Sequence, residues 1–188
     1  MMNETLKVIE TRYSCRSYAD KPVEQKKIEA IAKAALEAPS ALNIQPWHLI
    51  AMTDKKLIDE LDTHVMSNLK KREDQTAYKR MMERGGKPYY HAPVMFLILK
   101  KTGASQWGDI DCGIVAQNIA LAATSLGLGS VIAAMCATAF VEGDRIEEFK
   151  AKFNWPDGYE FGMGVLVGYP EVAKAPHEID KAKLTIIS

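Results

Sequence analysis

Residues 108–128, GDIDCGIVAQNIALAATSLGL, constrain what this chain can fold into more than any other stretch. Asp109 and Asp111 give the stretch one acidic turn, and no charge follows them. Acidic residues favour the positive end of a helix dipole, and Asp109 is the candidate N-cap. Gly127 and Gly129 suit the stop. Between these ends Ile110, Ile114, Val115, Ile119, Leu121, Ala122 and Leu126 send apolar groups in every direction. A helix that is apolar all round is buried, inside a domain or in an interface. Gln117, Asn118, Thr124 and Ser125 make it too polar to span a membrane. Gly113, Ala116, Ala120 and Ala123 leave room for another helix to approach. The pattern fits the core helix of one monomer and a helix shared between two subunits equally well.

A chain of 188 residues can bury a real core around such a helix and predicts one domain. A formal net charge of zero removes the general field that draws nucleic acid or an anionic membrane, so neither is an expected partner. Cys15, Cys112 and Cys136 are odd in number and form no CxxC pair, which predicts reduced thiols and a cytoplasmic setting. His48, His64, His91 and His177 lack metal-ligand spacing, and the first residues lack the apolar run of a signal peptide.

Around the central helix the spacing predicts a short helix over residues 3–11, with Leu6, Ile9 and Val8 inward. Residues 23–38 follow, amphipathic through Ile28, Ile31, Ala32, Ala35 and Leu36, and residues 54–69 repeat the pattern. Residues 70–87 are charged and read as a helix and loop forming a candidate lid, roughly over 70–90. HLIAM at 48–52, the continuous apolar run VMFLIL at 94–99 and the stretch 159–169 read as strands, and SVIAAM at 130–135 as a buried strand or strand-like loop. Gly162, Gly164 and Gly168 in the last would admit another backbone or a ligand. Residues 143–153 form a helix with Ile146, Phe149 and Phe153 inward. The tail over 170–188 ends in the apolar segment 184–187, which should be tied down against something.

Two polar segments stand out. In an extended chain Arg12, Ser14 and Arg16 share one face, while Tyr13 and Cys15 take the other. Two guanidinium groups flanking a hydroxyl suit a phosphate, though two solvated arginines read the same way. In APSALNIQPW at 38–47, Pro39 and Pro46 stiffen a loop that carries Ser40, Asn43 and Gln45. Paired carboxamides on a rigid loop suit the edge of a planar heterocycle, or else satisfy their own turn.

Taken together, residues 12–18, the loop 38–47, the helix 111–129 and Val167-Gly168-Tyr169-Pro170 resemble the FMN-dependent nitroreductase family in its short form. The resemblance covers nearly the whole chain, and the loop is its most specific block. It implies an α+β fold, with a mostly antiparallel sheet flanked by helices, in an intertwined homodimer whose C-terminal tail crosses to the partner subunit. It assigns Arg12, Tyr13, Ser14 and Arg16 to the phosphate and ribityl end of FMN. Asn43, with Pro39, Ser40 and Gln45, would meet the pyrimidine edge from the other subunit. Ile132, Ala133 and Ala134 would lie along the flavin near N5 through backbone amides. No arginine follows Arg145, so Lys174, then His177, would supply the tail's cation.

On this resemblance FMN carries the redox chemistry, and no catalytic side chain is expected. NAD(P)H would be the co-substrate, and a nitroaromatic, quinone or similar conjugated acceptor would follow it in a ping-pong sequence. GxGxxG is absent, and a nicotinamide that only stacks on FMN does not need it. The alternatives are another reduction on the same scaffold, such as of an enone or a carbon–halogen bond, or a flavin store or sensor without rapid turnover.

Overall fold

The apolar run at 94–99 becomes one of two central strands in a four-stranded antiparallel sheet. A computed structural model describes residues 2–187. Its helices are α1 (Glu4–Thr11), α2 (Gln25–Leu36), α3 (Lys55–Lys71), α4 (Thr76–Glu83), α5 (Gly108–Ser125), α6 (Thr138–Val141) and α7 (Ile146–Lys152). Its strands are β1 (Trp47–Met52), β2 (Val94–Lys101), β3 (Gly129–Ile132) and β4 (Tyr159–Gly168), in the spatial order β1-β2-β4-β3. The arrangement is α+β, as expected.

Alternation along β2 builds two cores. Val94, Phe96 and Ile98 meet Ile28 and Ile31 of α2 and Val115 and Ile119 of α5 on one face. Met95, Leu97 and Leu99 meet Leu61 and Val65 of α3 and Phe149 of α7 on the other. A run without polar residues is what a strand covered on both faces requires.

Local chemistry fixes the helix ends. Asn3 accepts from the Leu6 N–H at 2.9 Å and caps α1, while Asp54 accepts from the Lys56 N–H at 2.9 Å and caps α3. Gly127 ends α5 at φ +74°, and the Leu128 N–H donates to Ala123 O at 2.9 Å. Asp109 does not cap α5. Trp107 holds that position, and Asp109 sits inside the first turn, paired with Lys100 Nζ at 2.7 Å. The strand end and the helix start lie side by side, so a lysine outcompetes the backbone for this carboxylate.

The glycines of β4 admit their own chain's side chains. A Cβ at Gly162 would lie 2.9 Å from Cys112 Sγ, and one at Gly164 would lie 2.5 Å from Cys136 Sγ. A Cβ at Gly168 would lie 2.6 Å from Pro93 Cδ, and one at Gly129 of β3 would lie 2.7 Å from Cys15 Sγ. Each cysteine thus packs on a glycine. All three thiols are buried, and burial pushes that of Cys112 up to about 11 and raises the other two as well. These are inert packing groups rather than reactive ones.

Three expectations of burial fail within one chain. No residue of α1 is buried, and Leu6 and Ile9 are exposed because α1 lies on the outer side of α5. Residues 184–187 form no strand and stand away from the sheet, with Ile187 92% exposed. Leu36 is exposed on α2 as well.

Gly164→Ala should cost about 1–3 kcal/mol, the usual scale of overpacking. Adding Cys136→Ala should make the pair less destabilised than the sum of the two singles, because the clash is shared. Urea unfolding at fixed protein concentration checks this, and strict additivity would refute the contact as the cause.

Candidate active site

The segment 12–18 runs along the outer edge of β3. Ser14 bridges Ser130 in parallel, the Cys15 N–H donates to Ser130 O at 2.9 Å, and Tyr18 bridges Pro170. Tyr18 locks the segment, because its buried hydroxyl lies 3.0 Å from Cys15 O and 3.1 Å from Leu166 O. The predicted alternation holds. Cys15 points into the core, Arg16 is exposed, and Arg12 and Ser14 are half-buried. Tyr13 is half-buried and donates to Val172 O at 2.9 Å. That bond draws the start of the tail alongside, and the Lys174 charge is close enough to favour the Cys15 thiolate, though burial outweighs it. His177 is exposed.

Beyond β3 the chain turns, and this turn and Arg16 share a cleft of about 210 Å³. Ile132, Ala133 and Ala134 form its floor. Ala133 faces inward with its N–H given to Gly164 O at 2.8 Å, so that amide is not free for a ligand. Ile132 and Ala134 face outward, Ile132 being 40% exposed. The Ala134 N–H opens a 3₁₀ turn, where the first N–H groups lack partners within the turn. Ser130 lies on the same face of β3 as Ile132, and its buried hydroxyl has no hydrogen-bond partner.

Another part of the lining comes from α4, which lies within the stretch expected to form a lid. Ala77, Arg80, Met81 and Arg84 all line the cleft, with Pro88 and Tyr90 beside them. Their spacing of i, i+3, i+4 and i+7 is one helical face, and this was the available signal. Of the six arginines, Arg72 pairs with Glu142, and Arg145 pairs with Glu60 and Glu148. Arg12, Arg16, Arg80 and Arg84 form no ion pair among the described residues.

Asp62 of α3 holds the next turn. Its Oδ1 accepts from the Tyr89 N–H at 2.8 Å, and Tyr90 and His91 beyond adopt φ of 55° and 59°. Left-handed non-glycine residues cost about 1–2 kcal/mol each, so the surrounding contacts must hold this turn. Tyr89 is fully buried, in line with core packing.

The loop carrying Asn43 lies elsewhere. It precedes β1, while the cleft lies beside β3, and three strand spacings of about 14 Å in total separate these edges. Leu42, Asn43 and Gln45 all take left-handed backbone, at φ of 53°, 55° and 49°. Ser40 is turned inward, accepting from the Gln45 N–H at 2.8 Å, and Gln45 Nε2 donates to Asn43 Oδ1 at 2.9 Å. Pro39 is exposed, and Leu42 is 94% exposed. One chain thus unites Arg16 with residues 132–134 and leaves Asn43 and Gln45 at the opposite edge.

Comparison with known proteins agrees with this architecture. The Nitroreductase family pattern matches residues 9–169. The crystal structure of a nitroreductase with bound FMN from Desulfitobacterium hafniense DCB-2 is 42% identical, covers 100% of both chains and gives a TM-score of 0.96. A nitroreductase with bound FMN from Bacteroides fragilis NCTC 9343 is 26% identical over 100% of both chains, with a TM-score of 0.87. An Archaeoglobus fulgidus protein, provisionally named NADH dehydrogenase/NAD(P)H nitroreductase, is 32% identical over 95% of this chain and 92% of its own. The fold is therefore the nitroreductase-like α+β sheet. The chain belongs to the nitroreductase family.

Asp62 gives the cleft a pH-dependent support. Burial raises its carboxyl from 3.8 to about 6, against the pull of the Tyr89 N–H and Lys87. The folded chain therefore binds the proton more tightly than the unfolded chain. The cost of keeping the carboxylate charged is absent below about pH 4, grows to about pH 6 and is complete above it. Asp62→Asn keeps an acceptor for Tyr89 and should stabilise the protein by about 1–3 kcal/mol at pH 8, with the gain gone near pH 4. Denaturation at both pH values checks this; no gain at pH 8 would contradict it.

Proposed function

We propose that the protein is an FMN-dependent oxidoreductase that passes reducing equivalents from NAD(P)H to nitroaromatics, quinones or similar conjugated acceptors. The observation that carries this is the cleft in which unpaired Arg16 meets the apolar floor of residues 132–134. A flat ring system needs such a floor, and a phosphate needs such cations. Full-length likeness to nitroreductases with bound FMN supports the same reading.

Bound FMN supplies two-electron redox chemistry, taking hydride equivalents from the donor and giving them to the acceptor. Arg12, Ser14 and Arg16 hold the phosphate and ribityl end, with Tyr13 drawing Lys174 alongside. Lys174 takes precedence over His177 because the Tyr13 bond to Val172 O holds the chain two residues before it beside this segment. The outward groups of Ile132 and Ala134 support the ring, and the Ala134 N–H is the free donor near it.

The site is completed by a second copy. Asn43 and Gln45 cannot reach the cleft of their own chain, yet their loop is held in a strained, exposed conformation. Strain of that kind persists where function uses it. The exposed Ile110 of α5 and the exposed Leu184, Ile186 and Ile187 of the tail are the apolar surfaces such a partner would cover. In this arrangement Asn43 of the partner subunit meets the pyrimidine edge, the tail crosses over, and residues 70–90 border the entrance as a lid.

Two variants test the binding of FMN by separate routes. Arg16→Ala should weaken FMN binding by about 2–3 kcal/mol, the scale for a lost bond to a charged group. A chain ending at Asp180 should lose FMN together with dimerisation. Flavin absorbance after dialysis and sedimentation read the two effects. Full flavin retention in Arg16→Ala and in Arg12→Ala would rule out the phosphate assignment, and a fully loaded dimer of the truncated chain would rule out the crossing.

Donor and acceptor need the same cleft and exclude each other. Double-reciprocal plots at several acceptor concentrations should therefore be parallel, as in other two-step relays. Intersecting lines would show a ternary complex and refute the shared cleft.

A further inference from the structure

We infer that α4 is the selectivity element of this cleft. Arg80 and Arg84 together take the anionic group, a phosphate or a carboxylate, of the flat compound that enters over residues 132–134. This rests on the reading of the cleft as an FMN site.

The two guanidinium groups lie one turn apart on the α4 face that lines the cleft, and Met81 between them is buried. Met81 is the peg that stops the helix from rolling, so both arginines stay turned to the opening. Like charges four residues apart repel, and among the described residues no carboxylate forms an ion pair with either. Arg72 and Arg145 show what this protein does with arginines it uses for structure: each is held by a carboxylate. Arg80 and Arg84 have none within ion-pair reach among the described residues, and neither does Arg16 in the same cleft.

The charge is local. The chain as a whole is formally neutral, so three unpaired arginines around one cleft are not the spill-over of a basic protein. They also exceed what the cofactor requires in the proposed site. In that site Arg12, Ser14 and Arg16 are already assigned to its single phosphate, with Lys174 from the tail. Arg80 of α4 and Arg84 at its C-terminal end line the same cleft as Arg16, with the apolar Ile132, Ala133 and Ala134. A neutral aromatic would use the floor and leave both arginines solvated. A compound that is flat at one end and anionic at the other would use floor and arginines together, through planar, bidentate hydrogen bonds. Two sources carry that chemistry: the phosphates of the nicotinamide donor, or a carboxylate on the electron acceptor.

The test uses the FMN-loaded protein and the double variant Arg80→Gln/Arg84→Gln. In the acceptor arm, para-nitrobenzoate and the neutral para-nitrobenzamide are titrated into the oxidised protein, and perturbation of the flavin spectrum gives each Kd. In the donor arm, kcat/KM is compared for NADPH and an uncharged N-benzyl dihydronicotinamide. The parent should favour the anionic member of at least one arm by about tenfold to a hundredfold, the scale of hydrogen bonds to charged groups. The double variant should bring that ratio to within about threefold of unity, while Arg80→Lys/Arg84→Lys, which keeps the charge but loses the planar bidentate fork, should fall between the two. The arm in which the preference collapses names the source. Preferences left unchanged by the glutamine variant in both arms, or absent from the parent in both, would overturn the proposal. FMN lost from the glutamine variant would reassign the two arginines to the cofactor and overturn it as well. A parent protein that binds no FMN would instead overturn the reading of the cleft itself.

Discussion

The cleft floor is set by how closely the turn after β3 can approach β4. Cys136 settles over Gly164, and the Ala133 N–H reaches Gly164 O from the same turn. Any side chain at Gly164 would lift this turn, and Ile132 and Ala134 with it. The same device recurs where Cys112 of α5 sits over Gly162 and where Cys15 sits over Gly129. These contacts fix the central helix and the segment 12–18 against the sheet at short range. Glycines weaken a strand by themselves. Here the lost side-chain contacts are replaced by sulfur atoms that pack into the vacated space, in an interior dense enough to feel one methyl group.

On that frame the cleft draws its walls from distant parts of the chain. Segment 12–16 arrives by edge pairing with β3, the floor by the turn after it, and α4 by the burial of Met81 against the second core. The strained turn at Tyr90 and His91 closes one end, tied down by the buried Asp62. Arg16, Arg80 and Arg84, without carboxylate partners among the described residues, gather here, whereas Arg72 and Arg145 serve the fold. Exposed ion pairs contribute little to stability, so leaving these arginines unpaired costs the fold little and leaves their charge for a ligand.

Some of the chain's apolar surface stays open in a single copy. The outer side of α5 keeps Ile110 exposed, α1 buries nothing, and the strained loop holds Leu42 in open solvent. A helix without a polar face should not end half-covered. In the proposed dimer these surfaces and the distant carboxamides find their use together, because covering α5 with a second copy also delivers the loop.

The sequence by itself determined the elements and their partners in burial. VMFLIL had to be a strand covered on both faces, residues 108–128 an apolar helix, and Gly127 its end, because these follow from periodicity and backbone freedom over a few residues. The alternation of Arg12, Ser14 and Arg16 against Cys15 was legible for the same reason. Tertiary structure alone decided that Asp109 pairs with Lys100 instead of capping α5, since the lysine comes from a neighbouring strand. It decided that Gly162 and Gly164 of β4 lie under cysteines, and that Arg80 and Arg84 line the same cleft as Arg16. Those facts depend on which distant segments meet, and the spacing within any one segment carries no record of that meeting.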